Sequence, residues 1–195
     1  MADQKKYSNQ PKKPKKPWVE KDEYGEFLPL DEEQTLALVN RGFNLCAWYL
    51  GNSAKTRHEL TVIMEKKELP ENVIEAVFVK LDEYNYVNDE AYTENFVRAK
   101  HEGSQKKSSS AIRYELIRKG VDQETIDVAL ESITEESEYE NAKELVQKKL
   151  ASTQRLDPKK RTNRLVGMLA RKGYSPGIAY AIVKEALNSE DEEDY

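Results

Sequence analysis

From Leu36 onward the apolar residues recur every three to four positions, the period of a helix that buries one stripe. In a first helix from about Thr35 to Leu50 the stripe consists of Leu38, Phe43 or Leu45, and Trp48 or Tyr49, and Gly51-Asn52 ends it. Leu60, Ile63 and Met64 form another between about Ala54 and Lys67, and Val73, Ile74, Val77, Phe78 and Leu81 a third after Pro70. Asn88-Asp89 opens a fourth helix with Tyr92, Phe96 and Ala99. Ser108 to Ser110 offer capping hydroxyls to a fifth, which stops at Gly120, and Asp122 caps a sixth carrying Ile126, Ala129, Leu130 and Ile133. Asp157-Pro158 and Ser175-Pro176 each put a capping residue before a proline at the first helical position. The pattern predicts about nine helices and no strand.

The helices repeat. Set "HELTVIMEKKELPENVIEAVF", "AIRYELIRKGVDQETIDVAL" and "NRLVGMLARKGYSPGIAYAIV" beneath one another without gaps. Leu60 then meets Ile112 and Leu165, and Met64 meets Leu116 and Leu169. Ile74 meets Ile126 and Ala179, and Phe78 meets Leu130 and Val183. Glu68 stands where the other copies have Gly120 and Gly173. The offsets are 52 and then 53 residues, and a further helix precedes each copy, near Trp48, Phe96 and Leu145. We therefore expect an all-α protein of three tandem three-helix repeats, residues 35–87, 88–134 and 135–188, in an elongated curved helical stack. A unit of this size buries little by itself, so the junctions between neighbours carry much of the stability.

Charge changes the picture at the ends and between repeats. The chain has 195 residues and a formal net charge of −5, but its charges are segregated. Residues 1–34 are expected to be a flexible Lys/Pro-rich tail, because "QPKKPKKPW" favours an extended conformation, with Trp18 and Phe27 available to dock locally. Residues 189–195 are expected to be an acidic tail. Residues 121–142 contain eight acids and no Lys or Arg, whereas 143–172 contain ten basic residues and two acids. No 18-residue apolar run crosses a membrane, and a basic N-terminus without an apolar core predicts no secretion, so a cytoplasmic address is expected. Cys46, the one cysteine, lies in an apolar helical pattern and is expected to be a buried, inert thiol. His58 and His101 are far apart, and neither HExxH, CxxC, GxSxG nor a phosphate-binding loop occurs, so we expect no catalytic residues, no metal and no cofactor.

The candidate chemistry is binding. Arg98, Lys100, Lys106, Lys107, Arg113, Arg118 and Lys119 form one basic block, with Lys106 and Lys107 on a Gly-Ser break from which long side chains can reach phosphates or an acidic surface. Lys159, Lys160 and Arg161, with Arg164 following, form a second; the first three crowd a helix N-terminus, where the dipole disfavours cations. Arg118, Lys119, Arg171 and Lys172 have two readings: they complement the negative C-terminal ends of their helices, or they contact a partner.

The repeated "EL…L..KG" turn, "VNDEAYTENFVRAK" and "MLARKGYSPGIAYAIV" together resemble the RecX regulatory proteins of bacteria, in order and spacing, over roughly Leu36 to Leu187. Asn88-Asp89-Glu90 with Tyr92, Phe96, Val97 and Arg98, then Glu115-Leu116 with Lys119-Gly120, and Arg171-Lys172-Gly173-Tyr174, resemble that family's signatures in the second and third repeats. Two places depart from it: Glu68 replaces the usual Gly, and "EGSQKKSSS" lacks the family's Gly-rich form. The resemblance implies a cytoplasmic, non-catalytic regulator of DNA repair and the SOS response. It would bind the RecA recombinase filament on single-stranded DNA and restrain strand exchange, ATP hydrolysis and co-protease action. Weak non-specific DNA binding and a monomeric state accompany that expectation. The alternatives are a helix-turn-helix-like protein that contacts DNA phosphates directly, and a helical-repeat adaptor for another protein.

Overall fold

The computed structural model describes residues 17–193, with side chains described through Ser189. The Lys/Pro-rich stretch before Pro17 and the last two residues of the acidic end lie outside the described residues. Nine α-helices occur among those described: α1 (Glu32–Asn52), α2 (Arg57–Glu65), α3 (Glu71–Glu83), α4 (Asp89–His101), α5 (Ser109–Arg118), α6 (Gln123–Leu130), α7 (Glu135–Leu150), α8 (Pro158–Arg171) and α9 (Pro176–Glu193). Extended pairing among them is limited to one isolated bridge, Lys21 to Phe27. The helices group in threes, each triplet around its own buried cluster.

The register read from the sequence places the core. Leu60, Ile112 and Leu165 are buried at one level, and Met64, Leu116 and Leu169 one turn later. Ile74, Ile126 and Ala179, then Phe78, Leu130 and Val183, supply the facing layers. The helix starts follow local chemistry. Asp31, Thr56, Asn88, Ser108, Asp122, Thr134 and Asp157 each accept a backbone N–H of the first turn. α1 begins three residues before the expected Thr35, because Asp31 and Gln34 form a reciprocal capping box.

All three middle helices end in the same turn. Glu68, Gly120 and Gly173 adopt φ of +57°, +72° and +91°. The next residue's N–H returns to the carbonyl five back, Leu69 to Met64 at 3.3 Å, Val121 to Leu116 at 3.2 Å and Tyr174 to Leu169 at 3.2 Å. Sequence left the first turn in doubt for want of a glycine, yet it closes as the others do. The difference between copies lies in what packs on the turn. A Cβ on Gly120 would fall within the His58 side chain of the preceding repeat, and one on Gly173 would meet Ser108 Oγ and Ala111 Cβ at 2.5 Å. Among the described residues no other repeat packs on the first turn, so Glu68 needs only to tolerate a left-handed backbone. Its carboxylate takes an ion pair from Lys21 at 3.1 Å, with both side chains substantially exposed. Glu68→Gly should stabilise the chain by about 0.5 kcal/mol, the left-handed penalty removed less the glycine entropy and a weak surface pair. Chemical denaturation measures it, and a loss of stability would show the turn is unstrained.

From Pro17 the chain already packs on the first repeat. Val19 is buried in its core, Leu30 lies against it, and Trp18 stacks under the Arg41 guanidinium at 3.8 Å. Within α1 the core positions are Leu38, Val39, Gly42 and Cys46. Tyr49 is partly buried and Trp48 exposed, which resolves that alternative. Burial pushes the Cys46 thiol up to about 11, so it stays protonated and unreactive at neutral pH.

Candidate interaction surface

Ten of the thirteen basic residues singled out from the sequence occupy three environments, and the other three, Arg98, Arg113 and Arg118, have their partners within the second repeat. The first is the junction between repeats one and two. Here the N-terminus of α2 abuts the C-terminus of α5: the Thr56 hydroxyl donates to the Lys119 carbonyl at 2.6 Å, and the Arg57 N–H donates to Asp89 Oδ1 at 2.9 Å. Lys119 Nζ reaches Glu59 Oε1 at 2.8 Å. Burial acts to raise the Glu59 carboxyl, but the hydrogen bonds from Lys119 and the Thr56 backbone outweigh it and hold the group below its ordinary value. Burial acts to lower the Lys119 ammonium, and its interactions with Glu59 and Tyr92 together more than offset that, leaving the ammonium above its ordinary value. Lys119 is therefore a cross-link inside the molecule.

The sign of the pH dependence follows. A depressed carboxyl adds stability above its unfolded value, about pH 4.3, and loses it as pH falls through the lower folded value. A raised ammonium adds stability below about pH 10.4 and loses it as pH rises through the higher folded value. Glu59→Gln should cost about 1 kcal/mol at neutral pH, the upper end for a partly exposed pair. Denaturation of wild type and variant should converge once the pH has fallen through the depressed folded value of Glu59. A gap that persists there would assign the cost to packing or capping instead of charge.

The second environment is the junction between repeats two and three, and it claims the Gly-Ser break. Ser104 and Gln105 are exposed, but Lys106 and Lys107 are half-buried and do not project as free arms. Lys106 Nζ donates to Asn141 Oδ1 at 2.6 Å and pairs with Glu144 at 2.7 Å, with 14% of its side chain exposed. Lys107 pairs with Glu115, and Lys100 lies 3.9 Å from the same carboxylate. Lys172 Nζ donates to the Gln105 carbonyl, and burial together with Lys107 lowers its ammonium below the ordinary value. The Ser108 N–H donates to the Lys172 carbonyl at 3.1 Å, and the Tyr174 hydroxyl to the Lys106 carbonyl at 2.8 Å. The third repeat thus satisfies the polar groups of this segment. Of the remaining residues in the first basic block, Arg113 pairs with Asp127, Arg98 bonds Asn95, and Arg118 is exposed over Tyr114. Tyr92 and Phe96 stack at 6.0 Å, partly buried, with Lys119 against their rings.

The third environment is α8. Between Pro158 and Arg171 the helix carries five cations and no acid. Asp157 answers the problem of cations at a helix N-terminus: its carboxylate accepts the N–H of Lys159 at 3.0 Å and of Lys160 at 3.3 Å, placing negative charge on the positive dipole end. Arg161 turns inward, its Nε donating to Thr153 Oγ1 at 3.1 Å. Leu165 and Leu169 face the core. Lys160, Arg164, Met168 and Arg171 recur at spacings of four, four and three, which is one helical face. Arg164, Met168 and Arg171 line a recess of about 160 Å³ with Lys149 and Ser152 from the end of α7 and the turn after it. Lys160, Arg164 and Arg171 are exposed, and no carboxylate of the described residues pairs with them. Lys149 was missed from sequence. Its signal was its place in the last turn of a helix whose Lys148 has an acid four residues earlier, Glu144, while Lys149 has none.

Among the described residues no group of three or more His, Cys, Asp or Glu side chains could hold a metal ion, and no helix is long and apolar enough to cross a membrane. Fold and surface together define a tandem three-helix-repeat protein with an acid-free cationic face on its last repeat.

Known proteins share this architecture. The families described as the second and third three-helix domains of RecX match residues 88–130 and 135–183. The regulatory protein RecX of Streptomyces coelicolor is 40% identical over 155 residues, covering 80% of this chain and 82% of its own length. That of Thermobifida fusca is 36% identical over 153 residues, covering 78% and 82%. The crystal structure of RecX from Lactobacillus salivarius superimposes with a TM-score of 0.65 at 25% identity, covering 77% of this chain and 97% of that one. The chain belongs to the RecX family of regulatory proteins.

Proposed function

We propose that this protein is a cytoplasmic, non-catalytic regulator that binds the RecA recombinase filament on single-stranded DNA as a monomer and restrains its strand exchange, ATP hydrolysis and co-protease action. Family membership supports the regulatory role, and the acid-free face of α8 is the observation that carries the mode of contact. Repeats stacked in series let one molecule touch several filament subunits, which gives avidity that a free subunit cannot match. The α8 face, with Lys160, Arg164 and Arg171, meets negative charge on the filament. Lys106, Lys119 and Lys172 hold this protein's own repeats together, Lys100, Lys107 and Arg113 are paired within the second repeat, and all six belong to that contact only indirectly.

The test is ATP hydrolysis by recombinase filaments on single-stranded DNA, titrated with wild type and with a Lys160→Glu/Arg164→Glu/Arg171→Glu variant. Wild type should suppress hydrolysis, and the variant should need at least about tenfold more protein, equivalent to about 1.4 kcal/mol. No effect of wild type at saturation would refute the regulatory reading. Equal potency of the variant would retire α8 as the contact. Reversing Lys106, Lys107 or Arg113 is a poorer probe, since each has an internal acidic partner. The recess at Arg164 and Arg171 also favours direct contact with DNA phosphates. That reading predicts DNA affinity falling steeply with salt.

A further inference from the structure

The first and third helices of each repeat keep a common register. Counted nine residues on from the capping residues Asp31, Asn88 and Thr134, the first helices reach Asn40, Val97 and Lys143. Counted ten on from Pro70, Asp122 and Ser175, which precede α3, α6 and α9, the chain reaches Lys80, Ser132 and Glu185. In the outer repeats these two places are joined: Lys80 Nζ donates to Asn40 Oδ1 at 2.7 Å, and Lys143 Nζ pairs with Glu185 at 3.1 Å. In the middle repeat they hold Val97 and Ser132, which cannot form such a bridge, and the Ser132 hydroxyl donates to the Ala129 carbonyl instead. A groove of about 620 Å³ lies open there, lined by both residues.

Its apolar surface comes from Val97, Val128, Ala129 and Ile133, with Val128 62% exposed. The other lining hydroxyl, Thr125 Oγ1, donates to Asp122 Oδ2 at 2.7 Å, and the His101 ring contacts the Lys107 carbonyl and Ser137 Oγ. What the protein leaves unclaimed is methyl surface and carboxylates. Glu90, Glu94, Glu102, Asp122 and Glu124 are exposed around the groove, and Arg98 is the one Lys or Arg in its lining. No ion pair among the described residues uses any of the five acids. Hydrogen bonds from Thr125 hold the Asp122 carboxyl below its ordinary value, so it stays charged. The Asp122 charge acts on Asp89, the first residue of α4, so α4 and α6 begin at the same end of the groove. Four of the acids gather toward that end, and Glu102 stands at the other.

We infer that this groove docks a basic amphipathic helix of a partner protein. Aliphatic side chains of that helix cover Val97, Val128 and Ile133, and its Lys or Arg side chains meet the acids, most of them toward Glu90 and Glu124. Apolar anchors at helical spacing in a groove between two helices are an established way of holding such a segment. The 13 residues of α4 span about 20 Å, room for three to four turns of the partner. Like charge repels a nucleic-acid backbone from the same place. The inference goes beyond the reading of α8 and does not rest on it. With cations on α8 and acids on the groove, one molecule can hold a polyanion and a basic protein element together.

The probe is a synthetic peptide of about fourteen residues, four turns, stapled to hold its helix. It carries leucines at helical spacing, lysines beside them and alanine elsewhere. It is titrated into the full chain with labelled Val, Leu and Ile methyls, at about 50 mM salt. The Val97, Val128 and Ile133 signals should shift and saturate, while those of Val166 and Leu187 in the third repeat stay still. Affinity should fall at least about tenfold when the peptide lysines become glutamates or its leucines alanines. Ser132→Lys, which restores the spanning side chain of the first repeat, should have as large an effect. Glu94→Gln/Glu124→Gln, or about 0.5 M salt, should weaken binding at least about fivefold. No saturable shift at these methyls, equal binding of either control peptide, or indifference to the substitutions overturns the proposal. Shifts produced there by a single-stranded oligonucleotide, or by concentrating the protein alone, overturn it too, by assigning the groove to nucleic acid or to a second copy.

Discussion

Gly173→Ala should cost about 3 kcal/mol or more. Two penalties combine. At φ +91° an L side chain is strained by about 1–2 kcal/mol, which is local. The larger effect comes from across the junction: the new methyl would sit 2.5 Å from Ser108 Oγ and Ala111 Cβ and 3.0 Å from the Ala111 nitrogen. None of these is the loose end of a long side chain. To make room, the α8–α9 turn must move off the N-terminus of α5, which stretches the bond from the Ser108 N–H to the Lys172 carbonyl and the Tyr174 hydroxyl bond beside it. In a linear array, weakening one junction uncouples the units on either side. The melting temperature should fall by roughly 6–12 °C for a chain of this size, and the α7–α9 amides should exchange through openings that leave α1–α3 protected. The control is Glu68→Ala, which holds the same backbone conformation with no neighbouring repeat. It should lie within about 0.5 kcal/mol of wild type. A Gly173→Ala variant equally close to wild type would mean that the junction is not a packed contact.

That contrast also marks how far the sequence can be read. Periodicity located the helices and the aligned core positions, because burial of Leu60, Ile112 and Leu165 depends only on which helix face points inward. It also marked position 68/120/173 as a turn. What it could not show is why two copies need glycine and one does not, since the clash partners of Gly173 are more than sixty residues away. The same blindness governed the basic residues. Lys106 beside Ser108 to Ser110 reads as an exposed arm, yet its acceptors, Asn141 and Glu144, belong to the next repeat. Lys119 reads as a helix-end charge, yet Glu59 comes from the previous one. Lys159, Lys160, Arg164 and Arg171 stayed on the surface for a reason already visible in sequence: residues 158–171 contain no acid. Pairing within a helix is legible at three- and four-residue spacings, whereas pairing between repeats becomes legible only once their stacking is known.

Asn141→Ala should be the second most damaging of these substitutions, at about 2–4 kcal/mol. Asn141 is buried and bonds in two directions. Its Nδ2 donates to the His101 carbonyl at 3.0 Å, one of the last carbonyls of α4, which have no partner within their own helix. Its Oδ1 accepts from Lys106 at 2.6 Å. Removing the amide strands both: a buried carbonyl, and an ammonium left with Glu144 as its remaining partner. Each loss costs about 1–3 kcal/mol, the charged one toward the upper end. The His101 ring, which contacts the Lys107 carbonyl at 3.2 Å and Ser137 Oγ at 3.0 Å, would lose the group that packs over it. A double-mutant cycle with Lys106→Met separates the parts. If Asn141 and Lys106 act as one cross-link, the second substitution adds little after the first, and the cycle gives a coupling of about 1–2 kcal/mol. Full additivity would mean that the two side chains act independently, leaving the Glu144 ion pair as the contact that ties Lys106 to the next repeat.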